Sequence, residues 1–293
     1  MELANFSLYY GNTVDEGAIG AIAYRNKNDA VLGSPVHDFE MNLVVVYDGI
    51  PDEPPNQHSV VNGDRCQVIS IGMDALEHEL LEGEHKVLIR CFLEGDIISD
   101  HEDRLAKLRR DFLRFAEPIR ERKLFIGFAH FLQKYVDIKL LIKQDRILDA
   151  YHTLLDGLHC WAELELIERG IHPEIAVWEQ MTGLNTPVRK LYEELTVSTE
   201  TLDQRLELAL LAYEFSMVSK LEKCAALLLR VMRSRRTPWT IQELILHPEL
   251  APVAAELQIV LRNLVYRSLV KEAPVCKESR HNGFSTIRYY SEC

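Results

Sequence analysis

The hydrophobic pattern of this chain changes period once, near residue 117, and that change limits the fold more than any other feature. Before it, short apolar runs rich in β-branched residues alternate with helical stretches, the pattern of a mixed sheet with helices. After it, apolar residues recur at three and four, as at Leu124, Phe128, Phe131, Leu132, Tyr135 and Ile138. That spacing builds the buried stripe of a helix. The fold class is therefore α+β, with a sheet-containing head followed by helices.

Within the head, a strand is expected over 19–23, where a short helix also fits, and a buried strand over 39–47. Further strands are expected over 66–71 and 86–92, with helices over 74–81 and 102–115. The segment 48–56 carries three prolines, which fix φ and remove donors, so it reads as a loop. Beyond Pro118, at a first helical position, helices are expected over 118–141, 146–169, 173–182 and 187–195, and then a long helix to about 218 after the capping hydroxyls offered by 198–202. Gly170 ends the second of these. The last 75 or so residues read as a helix over 221–232, a short helix over 241–246 capped by Thr240, a further helix through 269, and two extended pieces, 269–275 and 286–290. That order describes a winged helix. The domains are then 1–116, 117–217 and 218–293.

The net charge of −12 is unevenly spread. Residues 218–293 hold 12 Lys/Arg and 7 Asp/Glu, leaving 21 and 38 for the rest. The acidic body repels nucleic acid, whereas the basic C-terminal module is where DNA would bind if it binds at all. Its presumed recognition helix, however, offers only Arg262, Arg267, Gln258 and Asn263 along an apolar run. That composition favours contact with protein, or packing on the chain's own helices, over reading of bases. The six cysteines form no CxxC pair, which points to a reducing cytoplasm rather than a zinc site or disulfide framework. No signal-like or bilayer-length apolar run is present in the sequence.

Chemistry concentrates in residues 33–48, GSPVHDFEMNLVVVYD. Asp38, Glu40 and Asn42 alternate, so on a strand all three project to one side. Paired acids at the mouth of a β-branched strand suit a hard cation such as Mg²⁺. The same spacing also fits a loop passing into an edge strand of an acidic protein.

The middle of the chain carries the most specific sequence. Residues 149–159 (DAYHTLLDGLH), Trp161-Ala162, 167–170 (IERG), 172–178 (HPEIAVW), 190–195 (KLYEEL) and 200–205 (ETLDQR) resemble bacterial nucleotidyltransferase-like proteins of the DNA-polymerase-β superfamily. The resemblance covers nearly the whole chain. It implies a nucleotidyltransferase-like head, a helical substrate-binding-type domain and a C-terminal winged helix.

It also implies a role for the acids. In the superfamily a Gly-Ser turn contacts the nucleotide phosphates, and three carboxylates on neighbouring strands hold two Mg²⁺ ions. Carried across, Gly33 and Ser34 match the turn and Glu40 the first acid. Asn42 stands at the second acid and Gln67 near the third, with Asp64 the nearest carboxylate. One formal charge would replace three, and two divalent ions need carboxylates to offset their repulsion. The implied protein binds a nucleoside triphosphate at a degenerate metal site, with weak or no transfer. An active Mg²⁺-dependent enzyme using Asp38 and Glu40 as catalytic acids, with Asp64 as a further ligand, is the alternative, and a DNA-binding regulator the third. Tyr135, Lys139 and Lys143 share one helix flank. Lys139 is expected either to clamp phosphates, since the family holds its nucleotide between head and helical domain, or to line a solvated edge.

Overall fold

The structure is a computed structural model and describes residues 17–26, 39–52, 54–61, 63–83, 85–174, 176–275 and 286–291. It divides into two compact units, Met1–Ala116 and Glu117–Cys293.

In the first unit a five-stranded sheet has the order β3-β4-β2-β1-β5, from strands β1 (Ala18–Arg25), β2 (Met41–Tyr47), β3 (Asn56–Val61), β4 (Asp64–Gly72) and β5 (Asp96–Asp100). Only β2 and β4 pair in parallel, in the register Met41 to Cys66 and Asn42 to Gln67. The central β2 is buried on both sides through its β-branched run, as an inner strand requires. Three α-helices are found among the described residues of the unit: α1 (Met73–Glu82), α2 (Lys86–Glu94) and α3 (Arg104–Leu113). Helices α2 and α3 pack on the side of the sheet that carries Gly20, Ile22 and Val44. A Cβ at Gly20 would lie 2.5 Å from Leu105 Cδ1, and one at Gly95 only 2.8 Å from Ile22 Cγ2. The opposite side is an apolar cluster of Ala21, Ala23, Leu43, Val45 and Val68.

Two expectations for the head are corrected. The segment 86–92 is helix, not strand. Its β-branched Val87 and Ile89 suggest extension, but Leu88, Cys91 and Phe92, all buried, fall at helical spacing. His85 accepts the Leu88 N–H and starts the helix. The strand comes next, as edge strand β5. Strand β3 was likewise not expected; Gly63, at φ +95°, closes its hairpin with β4. Asp100 accepts the Leu105 and Ala106 N–H groups at 3.0 and 2.8 Å and so caps α3.

The second unit is built on α4 (Glu117–Lys143), α5 (Ile147–Glu168) and α8 (Leu202–Cys224), with α6 (Val177–Gln180) and α7 (Pro187–Val197) between the last two. Phe131 and Tyr213 stack at 3.9 Å with Trp161 beside them, and Tyr213 donates to the Phe131 carbonyl at 2.6 Å. The helix expected over 173–182 is only the single turn α6. Gln180 takes the Glu174 N–H and donates to the His172 carbonyl, holding the preceding chain in a polar turn. The break expected at about 218 is also absent. Ser219 bonds back to the Ser216 carbonyl, and α8 continues to Cys224.

Thereafter come α9 (Ala226–Arg233), α10 (Ile241–Ile245), a 3₁₀ turn (Pro248–Val253), α11 (Leu257–Tyr266), β6 (Lys271–Val275) and β7 (Thr286–Tyr290). Thr240 and Glu243 form a reciprocal cap on α10. Trp239 bridges to Tyr289 through two backbone hydrogen bonds, adding a short third strand to the β6–β7 hairpin. This is a winged helix, and α11 packs against α4 of the helical bundle.

Candidate functional site

The parallel register of β2 and β4 decides the chemistry at the head of the sheet. Because Met41 lies beside Cys66, the residues one step earlier, Glu40 and Arg65, meet. Both oxygens of the Glu40 carboxylate are taken by this arginine. The Arg65 backbone N–H donates at 2.8 Å, its Nη2 at 2.9 Å and its Nε at 3.2 Å. The guanidinium hydrogen bonds, with backbone N–H bonds after them, pull the Glu40 carboxyl down to about 2. Asp64 accepts a single bond from Arg25, Nη2 to Oδ2 at 3.1 Å.

Asn42 is 1 % exposed. Strand alternation puts it on the α2 side of the sheet together with Ile22, Tyr24 and Val44. Tyr24 donates there to Glu94 of α2 at 3.2 Å. Asn42 Oδ1 has no hydrogen-bond partner among the described residues. Gln67 reaches only the Asn56 amide oxygen, at 3.4 Å. Asp38, Gly33 and Ser34 lie outside the described residues.

A two-magnesium centre needs several carboxylates with lone pairs directed at shared cations. Here Glu40 and Asp64 each carry an arginine, Asn42 is neutral and packed between sheet and helices, and Gln67 faces a neighbouring amide. Among the described residues no three His, Cys, Asp or Glu side chains group to hold a metal ion. The described residues therefore do not fit that centre.

Residues 121–220 match the family of YgxA-like substrate binding domains, and residues 226–291 match a helix-turn-helix domain family. The crystal structure of a nucleotidyltransferase-like protein from Exiguobacterium sibiricum 255-15 superposes with a TM-score of 0.84. The two share 28 % sequence identity, and the match covers 98 % of each chain. The chain has the architecture of a nucleotidyltransferase-like protein. The uncharacterized protein YgxA of Bacillus subtilis (strain 168) is 29 % identical over 273 residues, 92 % of this chain and 90 % of that one.

In the substrate-binding-type domain, Lys139 contacts Glu214 Oε1 at 2.8 Å and Tyr135 Oη at 2.7 Å, and Tyr135 also bonds Glu214. These hydrogen bonds raise the Lys139 ammonium and lower the Glu214 carboxyl. Lys139 thus enters any phosphate contact already holding an anion.

Two basic residues of the C-terminal module are similarly engaged. Arg230 binds Glu121 and Glu249, and Arg235 binds Glu243 while stacking 3.6 Å over Trp239. On α11, Leu257, Val260, Leu261 and Leu264 are buried, leaving Gln258, Arg262 and Tyr266 exposed. No helix among the described residues is long and apolar enough to cross a membrane.

The residues that sequence reasoning missed are the two arginines. Arg65 sits two positions before Gln67 and Arg25 ends β1. Neither has a motif, and only the strand register reveals that they face acids.

Proposed function

We propose that this protein binds a nucleoside triphosphate without carrying out ordinary two-metal nucleotidyl transfer. The observation that carries the reading is the Arg65 clamp on Glu40. The carboxylate expected to open a metal centre is neutralised by a fixed guanidinium, and its neighbours Asn42 and Gln67 add no charge. An arginine in that place can exchange its carboxylate partner for phosphate oxygens, so binding can persist where metal-dependent chemistry does not. The nucleotidyltransferase-like fold and the substrate-binding-type domain support nucleotide binding. Magnesium, on this reading, arrives only as the triphosphate's own counterion.

Thermal unfolding with each nucleoside triphosphate, with and without Mg²⁺ or Mn²⁺, tests this. Ligand at a hundred times Kd stabilises by about 2.7 kcal/mol. The expected shift is present without metal and survives Glu40→Gln. No shift with any nucleotide removes the reading. A Mg²⁺-dependent shift lost in Glu40→Gln, together with pyrophosphate release, would establish the active enzyme instead, with Asp38 and Glu40 as its acids.

The winged helix is read as a packing module rather than a DNA reader, because α11 packs on α4 and Arg230 and Arg235 are paired with acids. DNA binding measured against salt checks this. A steep loss of affinity with salt together with sequence preference would reverse it.

A further inference from the structure

Residues 172–178 belong to the most specific sequence of the chain, and the site in the head uses none of them. The chain leaves α5 at Gly170, with φ +75°, and residues 172–174 lead on towards the single turn α6. Polar bonds tie this segment to α6. The Gln180 amide donates to the His172 carbonyl at 3.0 Å and accepts the Glu174 N–H at 2.8 Å. His172 Nδ1 lies 2.9 Å from the Pro173 carbonyl. A carbonyl can only accept, so Nδ1 carries the proton of the neutral ring, and a second proton has to go to the buried Nε2.

That proton would arrive beside a cation. Lys123 of α4 acts on the His172 ring, and the acid that acts on it is Glu174 of its own segment. From α5, Glu163 faces Lys123 and also lies 3.6 Å from His159 Nε2, so it serves those two groups. Burial first, and the Lys123 charge second, hold the His172 imidazole below its ordinary 6.5, and the Pro173 carbonyl and Glu174 offset them only in part. Burial also draws the Lys123 ammonium down to about 8, with Glu163 opposing. Below that pH Lys123 is charged while His172 is still neutral, and the two coexist. As pH falls through 6.5 a released histidine takes up its proton before the docked one does, so acid favours release.

We infer that residues 172–174 are a proton-operated latch on the helical domain. A proton on His172, placed against the Lys123 ammonium, frees the segment from Gln180 and from the α4–α5 pair. Trp178 of α6 stacks on Tyr192 of α7 at 4.0 Å and meets His159 of α5 edge-on, so the latch also bears on how α5, α6 and α7 are joined.

Hydrogen exchange at the Glu174 amide of the full chain, alongside an NMR titration of the His172 ring, tests the inference. In the wild type the protection factor of that amide should fall at least about threefold from about pH 7 to about pH 5.5, while amides inside α5 keep theirs. His172→Gln cannot take the charge and should hold the Glu174 protection constant over the same range. Lys123→Met keeps the histidine, and should raise its pKa and shrink the fall. It carries the test alone should His172→Gln fail to fold. Wild-type protection that does not change with pH overturns the inference, as does an equal fall inside α5. So does a fall of full size in His172→Gln, or a His172 pKa indifferent to Lys123→Met.

Discussion

Two sets of carboxylate–cation pairs use the same chemistry in opposite surroundings. In the helical unit, Glu165 and Lys220 are each less than a tenth exposed, and Lys220 reaches Glu165 at 2.9 Å and Glu168 besides. Arg169 and the Trp161 indole N–H complete the satisfaction of Glu165. In the head, Glu40 and Arg65 face solvent with about half of each side chain exposed. Removing one member of a buried network strands the others in a low-dielectric interior, whereas water replaces a lost exposed partner. The first set therefore holds α5 to α8. The second contributes little to folding and instead decides what the Glu40 charge is available for.

The sharpest way to break this comparison is Lys220→Met. It leaves Glu165 and Glu168 without their shared cation, and the expected cost is about 3–5 kcal/mol. Urea unfolding followed by tryptophan fluorescence measures it, since all three tryptophans lie beyond residue 117. A loss no larger than that of an exposed pair would erase the distinction. Gly157→Ala probes the same packing without touching a charge. Its Cβ would lie 2.7 Å from Tyr213 Oη and displace the bond to the Phe131 carbonyl, for an expected loss of about 1–3 kcal/mol. Tyr213→Phe removes that bond alone and should cost about 1 kcal/mol by the same assay.

Arg65→Ala should leave the melting temperature at neutral pH close to wild type while raising the Glu40 pKa from about 2 towards its ordinary 4.5. Carboxyl-detected NMR titration reads the shift directly. The sign of the stability effect follows from the lowered pKa. The contribution is present above pH 4.5 and is lost as pH falls towards 2. Any difference in melting temperature between wild type and Arg65→Ala should therefore shrink across that window, and a difference that grows on acidification would contradict the assignment.

Much of the fold was legible in the sequence because it rests on local signals. The β-branched run 43–46 gave β2, the Thr240 cap gave α10, and Gly170, at φ +75°, marked the end of α5. The failures were also local. Residues 86–92 carry enough β-branched and aliphatic side chains to suit a strand, and only their burial at helical spacing decides for α2. The candidate site was less legible, because its chemistry depends on pairings distant in sequence. Glu40 meets Arg65 through the β2–β4 register, Asp64 meets Arg25 across the sheet, and Lys139 meets Glu214 between two helices. The resemblance implies Asn42 and Gln67 as the neutral residues at the acid positions. It could not supply the cations that occupy the remaining carboxylates.

The central claim is that a guanidinium, and not a metal ion, is the partner of Glu40. The most direct test is the carboxyl ¹³C resonance of Glu40 followed while Mn²⁺ is added in the presence of a nucleoside triphosphate. The account predicts that this resonance keeps its width and its low pKa throughout the titration. Selective paramagnetic broadening of Glu40 at substoichiometric Mn²⁺ would place a metal on the carboxylate and contradict it.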